Sequence, residues 1–249
     1  MTAPHRVTRE AFDAVLFDLD GVLTDTAKVH AGCWKELFDD FLRERAAASG
    51  EPFRPFEIET DYRLHVDGKP RSDGVRDFLA SRAIELPEGS PDDPPDGQTM
   101  AGLGNRKDAM VKSALDSQGV EAYAGSVEWV RQLRKEGMKT AVVSSSRNCA
   151  AVLRAAKIAD LFDARVDGEV ATREHLPGKP APDTFLSAAE RLGVEPARAV
   201  VVEDAISGVQ AGSAGGFGLV IGVARKGDAS ELRENGADVV VSDLSEFLS

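Results

Sequence analysis

Five short apolar runs, each bordered by polar residues, constrain this chain more than any other feature. The first is Asp13–Ala14–Val15–Leu16–Phe17–Asp18. Lys139–Thr140–Ala141–Val142–Val143, Ala199–Val200–Val201–Val202, Phe217–Gly218–Leu219–Val220–Ile221 and Asp238–Val239–Val240–Val241 repeat it. Runs of this kind suit strands buried on both faces of a parallel sheet. Between them the apolar spacing becomes helical, as in Val127, Val130 and Leu133, then Val152, Leu153 and Ala156. Phe185, Ala188, Ala189 and Leu192 form a third set, with Gly193 placed as a C-cap. Strands alternating with helices predict βαβ units with right-handed crossovers. The expected fold class is therefore α/β, a doubly wound parallel sheet of Rossmann-like form.

From Ala27 to Leu115 this alternation is missing. Val29, Cys33, Leu37 and Phe41 have helical spacing, as do Val75, Phe78 and Leu79, and no buried-strand run occurs there. The economical division is a core from residues 1–26 plus 120–249, with an inserted, mainly helical cap over 27–119. Glu88 to Gly104 is crowded with Pro, Gly and Asp and is expected to be an exposed, mobile loop.

The balance of charge excludes some partners. Thirty Lys and Arg against 42 Asp and Glu leave −12. Nucleic acid and anionic membrane surfaces both ask for a basic face, so neither is expected as a partner. An anionic small molecule stays possible, because a metal ion and a few local cations can reverse the field inside a pocket. No apolar run reaches the length of a membrane span, and Met1 to Glu10 is polar, so the chain is read as cytoplasmic. Cys33 and Cys149 lie far apart with no zinc-ligand spacing and are read as free, buried thiols.

In open α/β sheets ligands bind beyond the carboxyl ends of the strands. Asp18 and Asp20 follow the first run, Ser144, Ser145, Ser146, Arg147 and Asn148 the second, and Glu203 and Asp204 the third. Gly178–Lys179–Pro180 stands before the helix that precedes this third run. Each piece alone has a plainer reading. Asp-x-Asp-Gly makes turns, Ser144 and Glu203–Asp204 can cap helices, and a lone lysine belongs in solvent. Taken together, four carboxylates from two strands cannot share a small space without a cation. An all-oxygen set with open positions suits Mg²⁺, which keeps waters and takes one or two carboxylates plus a phosphate. An aspartate so screened can attack phosphorus and form an aspartyl phosphate.

Asp18-x-Asp20-Gly-x-Leu-x-Asp-Thr26, Ser144, Lys179–Pro180 and Glu203–Asp204 together resemble all four motifs of the haloacid dehalogenase superfamily. The resemblance spans the core and implies roles. Asp18 would be the nucleophile, and Asp20 the general acid and base that also offers its carbonyl to Mg²⁺. Ser144 and Lys179 would hold the phosphoryl oxygens, and Glu203 and Asp204 would complete the metal site.

The segment from Asp25 to Lys35 resembles the start of the β-phosphoglucomutase family. That likeness assigns Thr26 to the substrate site, His30 to coupling cap closure with proton transfer, and Trp34 to the sugar pocket. Without it, His30 reads as a surface histidine and Trp34 as core packing. Val66 to Asp73 is similar to the family's phosphate-gripping loop, with Gly68 among its substrate contacts and Arg71 as the cation. Arg147 and Asn148, beside Ser145 and Ser146, match its cation–Asn pair on the same phosphate, and Arg106 matches a further phosphosugar contact. The resemblance implies a Mg²⁺-dependent monomer interconverting β-glucose 1-phosphate and glucose 6-phosphate through glucose 1,6-bisphosphate, with cap closure shielding the aspartyl phosphate. A sugar-phosphate phosphatase on the same nucleophile is the alternative within this chemistry. A non-catalytic phosphometabolite-binding module is the alternative from another class.

Overall fold

The structure, a computed structural model, describes residues 7–225 and 229–248. The polar start of the chain, as far as Arg6, lies outside these residues. In chain order the strands and helices are β1 (Ala14–Phe17), α1 (Ala27–Ser49), α2 (Arg71–Ser81), α3 (Met100–Gln118), α4 (Ala124–Lys135) and β2 (Lys139–Val143). They continue as α5 (Cys149–Ala155), β3 (Ala164–Val166), α6 (Gly168–Arg173), α7 (Asp183–Leu192), β4 (Ala199–Glu203) and α8 (Ile206–Ala214). Last come β5 (Leu219–Val223), α9 (Ala229–Glu234) and β6 (Val239–Val241). The chain divides into two compact units, Met1–Thr26 with Val120–Ser249, and Ala27–Gly119.

All six strands of the first unit are parallel, in the order β3-β2-β1-β4-β5-β6. Successive side chains of β1 point to opposite faces, so the strand must be covered twice. Ala14 and Leu16 join Phe185, Ala188 and Leu192 of α7 and Ala211 of α8 in one cluster. Phe17 meets Trp129 of α4 edge-on at 5.6 Å, and Trp129 stacks on Phe247 at 4.7 Å. Helices therefore cover both faces, and the core is a doubly wound α/β sheet. The order reverses at β1, with β2 on one side and β4 on the other, which makes a topological switch point. Register there is direct, since Phe17 pairs with both Val142 and Val202. Asp18, Ser144 and Glu203 thus leave or end adjacent strands at one edge of the sheet.

The four-residue β1, together with β2, β4 and β6, falls where the apolar runs predict strands. The fourth run is displaced. Phe217 packs edge-on against Phe185 at 6.1 Å, and the strand starts at Leu219 and runs on to Val223. β3 was not expected, because Ala164–Arg165–Val166 is an edge strand in which only Val166 is fully buried.

The second unit has its own core. Trp34, Leu37, Phe38 and Phe41 of α1 pack with Phe56, Tyr62, Val75, Phe78, Leu79 and Leu103. A π-helical stretch, Ile58–Val66, leads into the turn before α2. The expected mobile loop needs correction. Met100 to Gly104 is the first turn of α3, and the Thr99 hydroxyl caps it by accepting from Gly102 N at 3.0 Å. The preceding stretch is exposed but tied down, for Asn105 Nδ2 donates to Pro91 O at 2.9 Å and to Asp93 O at 2.8 Å. Gly102 runs so close to the Gly97 backbone that a Cβ would collide with it. These glycines serve close approach, and that is why their abundance misleads. Cys33 and Cys149 are free and buried. Among the described residues no helix is long and apolar enough to cross a membrane.

Candidate active site

Three side chains from three segments meet beyond the carboxyl ends of β1 and β4. Lys179 Nζ donates to Asp18 Oδ1 at 2.6 Å, to Glu203 Oε1 at 2.5 Å and to Val143 O at 3.1 Å. Lys179 is 2% exposed and its ammonium lies 5.0 Å from the Phe185 ring centroid. The Lys179–Pro180 peptide is cis. Glu203 is fully buried, and its second oxygen accepts from Asp204 N at 3.0 Å and Ala205 N at 3.1 Å. Oxygens of Asp18, Glu203 and Asp204 all lie within 4.8 Å of one another.

Burial raises the Asp18 pKa well above the ordinary carboxylate range; Lys179 opposes this, while Glu203 and Asp20 add to it. Burial also works against the Lys179 ammonium, but Asp18 and Glu203 outweigh it and hold the lysine above its usual value. One ammonium thus serves two buried carboxylates, with Asp204 nearby as a third. Such a set is short of positive charge, and its donors are all hard oxygens, so it fits a divalent cation. Gly21 makes room for it. Its φ is +89°, and a Cβ there would fall on the Asp204 carboxylate.

Beside this cluster Asp20 has side-chain partners of its own. Its Oδ1 accepts from the Thr26 hydroxyl, and Thr26 Oγ1 is 2.7 Å from Thr24 Oγ1. Both threonines are buried, so Thr24 and Thr26 form a polar relay beneath the Asp20 carboxylate. At the end of β2, Ser144 is 2% exposed and its Oγ accepts from Ser146 N at 3.1 Å. Ser146 Oγ in turn accepts from Asn148 N at 3.1 Å, which leaves Ser145 at the bend of the loop. Arg147 is exposed and donates to Thr172 Oγ1 at 3.2 Å.

The residues expected in the helical unit fall into separate groups. Lys107 Nζ is hydrogen-bonded to His30 Nδ1 at 2.8 Å and sits 4.9 Å from the Trp34 ring centroid. Trp34 is 3% exposed and stacks on Phe38 at 5.2 Å, inside this unit's core. Arg106 pairs with Asp40 at 3.0 Å and not with His30. Lys107, its neighbour, is the buried one of these two cations, and its place in the same Asn105–Asp108 stretch is the one signal for it in the sequence. Arg71 begins α2, donates to Asn105 Oδ1 at 3.1 Å and pairs with Asp108 at 3.2 Å. Gly68 takes φ +69° in the turn before it.

Known proteins of one family resemble this chain. A family model for haloacid dehalogenase-like hydrolases matches residues 12–216. A β-phosphoglucomutase of Mycobacterium bovis is 52% identical over 242 residues, covering 96% of this chain and 92% of the relative. A β-phosphoglucomutase of Bacillus subtilis is 32% identical over 235 residues, covering 94% and 91%. The crystal structure of β-phosphoglucomutase from Clostridium difficile shares the fold, with a TM-score of 0.73, 24% identity and 96% and 93% coverage. With a matching model over most of its length and the acidic cluster at the switch point of its sheet, the chain belongs to the haloacid dehalogenase-like hydrolase family.

Proposed function

We propose that this chain is a β-phosphoglucomutase, interconverting β-glucose 1-phosphate and glucose 6-phosphate through an aspartyl phosphate and glucose 1,6-bisphosphate. The observation that carries the reading is the 52% identity to a mycobacterial β-phosphoglucomutase across 96% of the chain. The buried Asp18–Lys179–Glu203 cluster supports the chemistry.

Asp18 is the nucleophile. One of its carboxylate oxygens attacks phosphorus, and the bond from phosphorus to the sugar oxygen breaks. That oxygen takes a proton from Asp20, whose carboxyl Thr26 holds. In the return step Asp20 removes the proton from the attacking sugar hydroxyl. Lys179 and Ser144 bind the phosphoryl oxygens. Asp18, Glu203, Asp204 and the Asp20 carbonyl would hold Mg²⁺. Bound there, the ion would neutralise charge on the nucleophile and the phosphoryl group. A mutase also needs a grip for the second phosphate, and Arg71, Arg147 and Asn148 are assigned to it. His30, Trp34, Gly68, Arg106, Ser145 and Ser146 complete the assigned sugar contacts.

The test is NMR of the products formed from β-glucose 1-phosphate with Mg²⁺ and catalytic glucose 1,6-bisphosphate. Glucose 6-phosphate is expected, with inorganic phosphate a minor product. Phosphate release without glucose 6-phosphate would replace the mutase by a sugar-phosphate phosphatase. Arg71→Ala separates the same readings, since a mutase loses isomerisation heavily and a loosely selective phosphatase loses little.

A further inference from the structure

The turn that follows Asp18 and Asp20 is gripped by one side chain. Arg225 follows β5, and its side chain is 15% exposed. Nε donates to Gly21 O at 2.9 Å, while Nη2 donates to Val22 O at 3.3 Å and to Ser126 Oγ at 2.9 Å. Nη1 pairs with Asp243. The guanidinium carbon lies 3.6 Å from the centroid of the Tyr123 ring, and the Tyr123 hydroxyl donates to Asp25 Oδ1 at 2.8 Å. Ser126 Oγ donates to Val22 O at 2.7 Å, so it reinforces the same carbonyl.

These contacts fix a short piece of main chain that directly follows Asp20. Gly21 occupies a left-handed conformation and donates its N–H to Thr24 O at 2.8 Å. With its carbonyl held by Arg225, its peptide groups are pinned at both ends. A glycine without such restraint has more freedom than any other residue, and that freedom would pass directly to Asp20. A guanidinium suits the task because its planar fork meets several acceptors at fixed angles, while an ammonium offers a compact point charge.

We propose that Arg225 is a positioning residue for Asp20: its grip on the Gly21 and Val22 carbonyls sets where the Asp20 carboxyl group stands for proton transfer. The inference rests on the reading of Asp20 as general acid and base. It predicts an effect that depends on the leaving group. A sugar alkoxide must be protonated as it departs from phosphorus, whereas acetyl phosphate releases a carboxylate that needs no proton. Displacing the acid should therefore slow transfer from glucose 1,6-bisphosphate and spare transfer from acetyl phosphate.

The experiment measures single-turnover phosphorylation of Asp18 by these two donors, in the full-length protein with Mg²⁺, for wild type, Asp20→Asn, Arg225→Gln and Arg225→Lys. Arg225→Gln should slow transfer from the bisphosphate about 30- to 100-fold, less than the roughly 10²- to 10⁴-fold a positioned acid supplies, because the acid is displaced and not removed. Transfer from acetyl phosphate should change less than about 3-fold, and KM for the sugar phosphate should stay near wild type, as expected when only transition-state interactions are lost. Arg225→Lys should recover thermal stability without recovering the bisphosphate rate. It carries the donor comparison if Arg225→Gln does not fold. Equal losses on both donors, or a loss confined to KM, would overturn the proposal and leave Arg225 a structural residue. If Asp20→Asn itself slowed both donors equally, the reading of Asp20 would fail first, and this outcome is distinct from the other two.

Discussion

Gly208, in the first turn of α8, passes so close to Glu203 that a Cβ at this position would fall on the carboxyl group. The Glu203 side chain folds back over that turn to accept from Asp204 N and Ala205 N, which leaves no space for a methyl group. Gly208→Ala must push Glu203 away from Lys179 or shift α8. Overpacking of this kind costs about 1–3 kcal/mol. The variant should show that loss in urea unfolding, together with a fall in phosphoryl transfer, because the carboxylate cluster is displaced.

A second glycine makes the opposite case. Gly32 lies in α1, and a Cβ there would meet nothing within 4 Å. No close approach or special backbone conformation requires it. Gly32→Ala should stabilise the protein by about 0.5–1 kcal/mol through helix propensity and reduced freedom of the unfolded chain. Thermal unfolding checks this, and a lower Tm would show that the position has a packing role.

Much of the core was legible because its signals are local. Continuous apolar runs located β1, β2 and β4, and Asp18, Glu203 and Asp204, at the ends of the first and the third, meet at the switch point. β3 gave no such signal, since an edge strand needs fewer apolar side chains. The sequence around Gly97, Gly102 and Gly104 suggested looseness, yet the glycines there allow backbone to pass close to neighbouring groups. Lys107 and Arg106 are adjacent cations in one helix, and only the turn of the helix decides that Lys107 meets His30 while Arg106 meets Asp40. Arg225 carried no motif at all, because its value depends on carbonyls 203 and 204 residues away.

Lys179 is the charge that makes the buried cluster tolerable. Removing one partner of a buried ionic group leaves the rest uncompensated, at a cost of about 3–5 kcal/mol. Lys179→Met should lose stability of this order at pH 8, measured without added metal. The pH dependence follows from Asp18, whose pKa burial already raises in the intact protein. A carboxyl group with a raised folded-state pKa binds a proton more readily folded than unfolded, so acidification favours the folded form. Without the ammonium that preference grows. The gap between wild type and Lys179→Met should therefore narrow as pH falls from 8 to 5, and a constant gap would contradict the electrostatic account.

The acid limb of stability should report a different carboxylate, far from this cluster. Burial pushes the Asp163 pKa up, but the Thr140 N–H bond and the Arg134 guanidinium outweigh it and hold the group below the usual carboxylate value. Thr140 N donates to Asp163 Oδ2 at 2.9 Å and Arg134 Nη1 to Oδ1 at 3.0 Å, tying the start of β2 to the approach to β3. A depressed folded-state pKa contributes stability above the unfolded value, and this is lost as pH falls through the folded one. Asp163 is 40% exposed, so solvent screens it and the contribution should be about 0.5–1 kcal/mol. Asp163→Asn should be less stable than wild type at pH 7 by that amount in urea unfolding. As pH falls below the ordinary aspartate range, the two proteins should converge. If the difference held unchanged into acid, the loss would come from altered packing of the asparagine and not from its missing charge.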